Sequence, residues 1–272
     1  MKLSKLPMVS GRVRDGEFTD LGFLKYLCYV EDARLVDRLL ANGTTQGSAP
    51  AQCVITTPEI APRVPDRLGL LVSRDPRRTF HDIHKWLMLN TEFYRRGALD
   101  APRVGNDTVI EPGAMVYPWV RLGERCVVRD GAIVGTEGFE PRGHASGHGK
   151  ARNEPTELIP HAGEVWIGDD VEIQSGSLID RALFGEATRI GDRVKIDKQV
   201  HIGHNSQVGP DTLVASGALL AGSAIIGARC WIGPRVVISS GVHVGDGAVI
   251  LIGSLVLKDV PPGARVHPRD PT

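Results

Sequence analysis

The sequence lacks several features that would place it in other classes of protein. It has 32 basic and 32 acidic residues, so no excess charge argues for a nucleic acid or an anionic membrane as partner. No apolar run approaches the roughly 18 residues of a membrane span, and the N-terminus has no signal-peptide core. The 4 cysteines form no CxxC pair, so no zinc site is indicated. We expect a cytoplasmic protein with no metal and no tightly bound cofactor.

What the sequence does contain is a repeat of six residues. Aliphatic residues recur at every sixth position, at Ile190, Ile196, Ile202, Val208, Val214, Leu220, Ile226, Ile232, Ile238, Val244, Ile250 and Val256. The residue four places after each one is small or branched. This period is typical of a parallel β-helix, in which each hexad forms one short strand with its aliphatic side chain inside. Three hexads close one triangular coil, so residues eighteen positions apart are expected to stack.

The repeat also divides the chain. Residues 1–100 lack it and are predicted to form a small α/β domain, with an amphipathic helix over 76–96. Residues 101–260 carry the repeat and are predicted to form the β-helix, so the fold class is mainly β. Within them, 136–165 departs from the repeat, and so long a loop in a compact domain is usually functional or disordered. Consecutive prolines are expected to end the column, leaving 261–272 as a short tail.

A polar cluster interrupts the otherwise aliphatic wall between residues 195 and 205. It contains Asp197, Gln199, His201, His204 and Asn205. Histidine is the usual group for proton transfer near neutral pH. The cluster therefore predicts a site of acid–base chemistry on the column.

Motifs around this cluster point to one family of enzymes. They are Ile179-Asp-Arg181, Lys195-Ile-Asp197, His201-Ile-Gly-His-Asn205, Gly135-Thr-Glu-Gly-Phe139 and Ile159-Pro-His-Ala-Gly163. They resemble the signature of the UDP-3-O-(3-hydroxyacyl)glucosamine N-acyltransferases, the lipid A enzymes. The N-terminal domain matches more loosely: Phe23 and Tyr29 keep the spacing of two aromatics that hold the uracil ring in that family.

The resemblance implies a left-handed coil and a homotrimer with sites between neighbouring chains. It also implies acyl transfer from a pantetheine thioester, either acyl-CoA or acyl carrier protein, to the amine of a nucleotide-linked sugar. In this interpretation His204 is the general base and Asp197 orients it. The backbone N–H of Gly222, one coil above, meets the oxyanion. The expected substrate-binding residues are Phe23, Tyr29, Gly138, Phe139, Gln199, His201 and Asn205, with His201 kept as the alternative base.

Departures from the family leave the acceptor open. Fewer coils precede the Gly-Phe loop, and the C-terminal helices of the lipid A enzymes are missing. The Lys258-Asp-Val-Pro-Pro262 ending resembles shorter relatives that acylate nucleotide-linked deoxyamino sugars, often from coenzyme A. We therefore predict a nucleotide-linked amino sugar as acceptor, with the lipid A precursor as the alternative. A zinc lyase of the carbonic anhydrase kind and a non-catalytic scaffold are the competing functions.

Overall fold

The computed structural model describes residues 13–14, 27–30, 53–90, 101–142, 155–184 and 187–268. The chain divides into two compact units, Met1–Arg95 and Arg96–Thr272. In the described ranges, no helix has the length and the apolar character needed to cross a lipid bilayer.

The first unit contains a four-stranded sheet and one helix. The strands are β1 (Val13–Arg14), β2 (Leu27–Val30), β3 (Cys53–Thr56) and β4 (Gly69–Val72), in the order β1-β4-β3-β2. Strands β2, β3 and β4 are parallel, and β1 is antiparallel to β4. A short 3-10 helix spans Ala61–Arg63, and helix α1 spans Pro76–Asn90.

Helix α1 begins where the sequence predicts. Pro76 occupies its first position, where the missing N–H costs nothing. The Asp75 carboxylate accepts the N–H of Arg78 at 3.1 Å. Phe80, Ile83 and Leu87 lie on one face of the helix and are buried, which explains the predicted amphipathic pattern.

The second unit is a three-sided column of parallel strands. Face 1 contains β7 (Met115–Val116), β10 (Ile133–Thr136), β15 (Leu178–Asp180), β18 (His201–Ile202), β21 (Leu219–Leu220), β24 (Val237–Ile238) and β27 (Leu255–Val256). Face 2 contains β5 (Arg103–Val104), β8 (Val120–Leu122), β13 (Glu164–Ile167), β16 (Ala187–Ile190), β19 (Gln207–Val208), β22 (Ile225–Ile226) and β25 (His243–Val244). Face 3 contains β6 (Val109–Ile110), β9 (Val127–Val128), β14 (Glu172–Ile173), β17 (Lys195–Ile196), β20 (Leu213–Val214), β23 (Trp231–Ile232), β26 (Val249–Ile250) and β28 (Arg265–Val266).

The hexad repeat sets both the interior and the register of this column. Each repeat aliphatic points inward: Ile196 is 1% exposed, and Ile202 and Leu220 are 0% exposed. Burial of such a side chain contributes about 1.5–3 kcal/mol, so every coil adds three contributions of this size. Ile202 pairs with Leu220 and Ile196 with Val214, which confirms the predicted stacking of residues eighteen positions apart.

The eighteen-residue register is not kept along the whole column. Leu178 pairs with His201, twenty-three positions later, because the chain between β15 and β16 is longer than a regular turn. Ile133 pairs with Leu178, forty-five positions later, and Val249 pairs with Arg265, sixteen positions later. An excursion from the repeat lies between β10 and β13, and in its described part β11 (Pro141–Arg142) pairs antiparallel with β12 (Glu157–Leu158). The Ile159 N–H donates to the Glu140 carbonyl at 2.9 Å, joining the two ends of this excursion.

The column also extends beyond its predicted end. β28 pairs with β26 on face 3, and Val266 is buried at 6% exposure. The prediction that residues 261–272 form a tail is therefore wrong for the part up to Val266. The two prolines at 261 and 262 occupy a corner, where a missing N–H removes no bond of the strand ladder.

Candidate active site

His204 and Asn205 lie at the corner where the chain turns from β18 on face 1 to β19 on face 2. Asn205 has φ +60°, a left-handed conformation that asparagine tolerates better than most residues. Its N–H donates to Thr188 Oγ1 at 2.9 Å, which anchors the turn to the coil below. The local sequence therefore places the His204 side chain on a rigid corner.

Asn205 fixes the protonation pattern of the His204 ring. Its Oδ1 accepts the backbone N–H of Leu183 at 2.8 Å, which identifies that atom as the amide oxygen. The same Oδ1 lies 3.1 Å from His204 Nδ1. Because a carbonyl oxygen has no hydrogen to give, Nδ1 must carry the proton and donate it. In the neutral ring, Nε2 then has a free lone pair.

Both ends of the excursion enclose the His204 ring. Glu140 Oε2 lies 3.8 Å from Nε2, and the His161 ring meets the His204 ring edge-on at 5.4 Å between centroids. Glu140 and His161 are themselves buried, at 8% and 0% exposure. The excursion thus places a buried carboxylate and a second imidazole beside the His204 ring.

Gly138 lies between these groups. A Cβ atom built on it would lie 2.8 Å from His161 Nε2, 3.2 Å from Asp180 Oδ2 and 3.3 Å from His204 Cδ2. Phe139, the next residue, is 75% exposed. The Gly-Phe loop thus approaches the histidines through its glycine, which is the only residue type that leaves them this space.

Gly222 lies directly above His204 on the same corner. A Cβ atom built on Gly222 would lie 2.5 Å from His204 Nε2. At some other corners of the column the corresponding turn N–H is capped by an aspartate, as Asp169 caps Glu124 and Asp246 caps Ala228, each at 2.9 Å. Across the described ranges, no acceptor is bonded to the N–H of Gly222. That donor remains available next to the imidazole.

Asp197 has a different place from the one predicted. Its Oδ2 accepts the N–H of Ser216 at 3.1 Å, so it is one of the capping aspartates. It lies on the corner before β18, whereas His204 follows β18. The expectation that Asp197 orients His204 is therefore corrected, since the bond to Nδ1 comes from Asn205 instead.

His201 forms a second pair with a buried carboxylate. Its Nε2 lies 3.0 Å from Asp180 Oδ2, with the histidine side chain 43% exposed and the aspartate side chain 7% exposed. The hydrogen bond to Asp180 raises the pKa of His201, and partial burial opposes that shift. His201 is thus held closer to its charged form than an isolated histidine.

The remaining predicted residues lie elsewhere. Gln199 is exposed at the corner before β18, with φ +56°, at the opposite end of that strand from His204. Tyr29 packs against Phe80 within the first unit, with ring centroids 5.5 Å apart. Phe23 lies outside the described residues, so the uracil-binding role of these two aromatics stays a prediction.

The sequence predicted no catalytic role for Glu140, Asp180 or His161. Asp180 and His201 are twenty-one positions apart, because the irregular step before β16 shifts the register. Glu140 and His161 belong to the excursion. Because the six-residue repeat does not apply there, their distance in sequence from His204 gives no indication that they lie beside it. The Ile-Asp-Arg motif was the only signal for Asp180. In the described part of the chain, no group of three or more His, Cys, Asp or Glu side chains could hold a metal ion.

Comparisons with known proteins identify the repeat that forms the column. The model of the family "Bacterial transferase hexapeptide (six repeats)" matches residues 101–136, 187–222 and 223–256. The column is a left-handed hexapeptide-repeat β-helix. A UDP-3-O-acylglucosamine N-acyltransferase of Polynucleobacter asymbioticus is 36% identical over 83 residues, 30% of this chain and 22% of that protein. One of Pseudomonas putida is 40% identical over 89 residues, 33% of this chain and 23% of that protein.

Among solved structures, an Arabidopsis UDP-N-acetylglucosamine acyltransferase is 26% identical with a TM-score of 0.47, covering 60% of this chain and 59% of that one. The hexapeptide-repeat chain matches less than a quarter of the length of the two curated relatives named above.

Proposed function

We propose that this protein transfers an acyl group from a pantetheine thioester to the amine of a nucleotide-linked amino sugar. The observation that carries the proposal is the His204–Asn205 bond, which leaves Nε2 as a proton acceptor beside the uncapped N–H of Gly222. The names of the curated relatives, which are N-acyltransferases of a UDP-sugar, support the same chemistry.

The reaction needs no covalent intermediate on the protein. The sugar amine attacks the thioester carbonyl while His204 Nε2 takes its proton, a step worth roughly 10²–10⁴-fold in rate. Glu140 stabilises the imidazolium from 3.8 Å. The oxyanion accepts the Gly222 N–H, and one such donor contributes about 3–4 kcal/mol in other enzymes. Collapse forms the amide and expels the thiolate, which takes the proton back from His204.

His204 is a better candidate for the base than His201. His201 Nε2 is already bonded to Asp180, and its raised pKa keeps more of it protonated. A protonated imidazole cannot accept the proton of the amine. The His201 side chain is 43% exposed, and Phe139 is 75% exposed, so both are accessible for contact with a substrate.

The proposed assembly is a homotrimer, because the corner at His204 needs a second wall to enclose a substrate. Exposed apolar side chains near the C-terminal end of the column support a subunit contact; they are Ile252, Leu255 and Leu257, at 62%, 52% and 54% exposure. Sedimentation of the purified protein tests this directly. A monomer would contradict the shared site.

The experiment that tests the function is thioester turnover with a panel of substrates. Acyl-CoA and acyl carrier protein are the donor arms, and UDP- and dTDP-linked amino sugars and UDP-3-O-acylglucosamine are the acceptor arms. Thiol release that depends on an acceptor, with the N-acylated sugar found by mass spectrometry, supports the proposal. Turnover only with UDP-3-O-acylglucosamine would make the protein a lipid A enzyme. No turnover with any pair would favour a non-catalytic scaffold.

A further inference from the structure

Arg181 is a buried arginine that contacts both ends of the excursion. Its backbone N–H donates to the Thr136 carbonyl at 2.8 Å, where the excursion begins. Its Nε donates to the Gly163 carbonyl at 2.8 Å, where the excursion ends. Only 7% of the residue is exposed. One residue of the column thus bonds two segments that are far apart in sequence.

Trp119 completes this arrangement. The Arg181 guanidinium carbon lies 3.8 Å from the centroid of the Trp119 ring, a cation–π contact. The indole Nε1 donates in turn to the Gly135 carbonyl at 2.6 Å. Gly135 has φ +96° and a Cβ atom on it would lie 2.7 Å from Val120 Cγ2, so this turn depends on glycine. The indole therefore ties the entry turn of the excursion to the same guanidinium.

Burying the charge of Arg181 costs free energy of folding, which indicates that the guanidinium has a specific role at this position. Burial lowers the pKa of Arg181 to about 10, and the charges of Glu137 and Glu164 only partly offset that effect. A buried charge is expensive unless hydrogen bonds and close contacts compensate it. A non-polar side chain would fill the same volume without that cost, but it could not donate to Gly163.

The two segments that Arg181 joins carry the groups around the proposed base. Glu140, with Oε2 3.8 Å from His204 Nε2, lies on the entry segment. His161, whose ring meets that of His204, lies on the exit segment. The exit segment is also bonded to the column, because Ala162 and Gly163 donate to the carbonyls of Leu183 and Ala182 at 3.0 and 2.8 Å.

We propose that Arg181, together with Trp119, is a positioning residue that fixes both ends of the excursion against His204. It touches neither substrate nor the reacting atoms and acts through Glu140, Gly138 and His161. A displacement of about 1 Å in a catalytic group can cost on the order of 10²-fold in rate. The rate part of the inference rests on the proposed function, whereas the structural part does not.

The experiment compares two matched arginines by hydrogen exchange and by turnover. The variants are Arg181→Met and Arg189→Met. Arg189 lies 3.9 Å from the centroid of Trp166 in the same kind of stack, but on the outer surface of face 2. In Arg181→Met we expect faster exchange of the Ile159, Ala162 and Gly163 amides, and a fall in kcat of about 10- to 100-fold. In Arg189→Met the exchange rates of these amides and kcat should stay within about twofold of the wild type.

Two further variants keep the inference testable. Arg181→Lys retains a charge but cannot reproduce the planar stack and the Nε bond, so we expect it to behave like Arg181→Met. Rescue by lysine would show that only the charge matters and would overturn the proposal. If the Arg181 variants fail to fold, Trp119→Phe removes the bond to Gly135 and leaves a smaller ring against Arg181. It should then speed exchange around Gly135 to Phe139 and lower kcat.

The outcomes separate the two proposals. Unchanged exchange in Arg181→Met overturns the fixing of the excursion. If Arg181→Met shows faster exchange but the same kcat as Arg189→Met, the inference that Arg181 acts on His204 is overturned. If the wild type shows no turnover, the proposed function fails, and the exchange measurement alone decides whether Arg181 fixes the two segments.

Discussion

His204 Nδ1 lies 3.1 Å from Asn205 Oδ1, and that same oxygen accepts the Leu183 N–H at 2.8 Å. A residue at the next position in sequence thus selects the tautomer of the proposed base and ties it to the irregular step of the column. In the proposed mechanism, Asn205 takes the place of the carboxylate that orients histidine in other His-based sites.

Asn205→Ala removes the acceptor and lets the ring adopt either tautomer. We expect kcat to fall by roughly 10- to 100-fold, with little change in the KM of either substrate, because proton transfer is the step affected. Asn205→Asp keeps an acceptor oxygen and adds a charge that favours the imidazolium. It should retain more activity than alanine and move the acid limb of the pH–rate profile to higher pH. An unchanged profile in the aspartate variant would contradict this role.

Gly222→Ala tests the space above the imidazole. The added carbon would lie 2.5 Å from His204 Nε2, closer than such contacts occur, so the ring must move. We expect a loss of at least about 10²-fold in kcat, because the base and the oxyanion donor are displaced together. The control is Gly241→Ala, one coil above, where φ is +71° and no atom lies within 4 Å of the added carbon. That variant should cost about 1–2 kcal/mol of stability through backbone strain but keep the wild-type kcat.

The His201–Asp180 pair predicts a pH-dependent contribution to stability. The hydrogen bond raises the folded-state pKa of His201 above its ordinary value. A raised pKa means that the folded state binds the proton more tightly, so the stabilisation is fully present at pH values below the unfolded pKa of about 6.5. It disappears as the pH rises through the folded-state pKa. Thermal unfolding of the wild type and of His201→Gln should therefore differ most near pH 5.5 and converge at alkaline pH. A difference that grows with pH would contradict the assignment.

The corner between faces 2 and 3 carries a ladder of alternating charges. The Arg125 and Asp170 side chains are 2.8 Å apart, and those of Arg193 and Asp211 are 2.6 Å apart. All four are exposed or nearly so, and such pairs contribute little and are screened by salt. Arg193→Met should lower the Tm slightly at low ionic strength, and the difference should vanish in about 1 M salt. A large, salt-independent loss would show that the ladder is essential to the coil.

The regular part of the fold could be predicted from sequence because its physics is local. Each hexad buries one aliphatic side chain, so the repeat alone fixes the strands and the pairing of Ile202 with Leu220. The site was only partly predictable. His204 and Gly222 were found because eighteen-residue stacking holds there. Asp180 and Glu140 were missed because they come from the irregular step and the excursion, where no period applies.

The predictions for Asp197 and for the end of the column were wrong for physical reasons. Asp197 was assigned to His204 because it lies one hexad earlier, but one hexad also turns the chain by one corner. Its carboxylate caps the Ser216 N–H, a structural role shared with Asp169 and Asp246 at other corners. The column continues to Val266 because a corner tolerates prolines that a strand interior would not.

The most direct test of the account is the rate of acceptor-dependent thiol release by His204→Ala compared with His201→Ala, at saturating thioester and sugar. Both proteins should first show the wild-type oligomeric state and an intact β-sheet spectrum. We expect His204→Ala to lose roughly 10²–10⁴-fold in kcat and His201→Ala mainly to raise KM. A His204→Ala variant that retains most of the wild-type kcat would contradict the central claim that this imidazole accepts the proton of the amine.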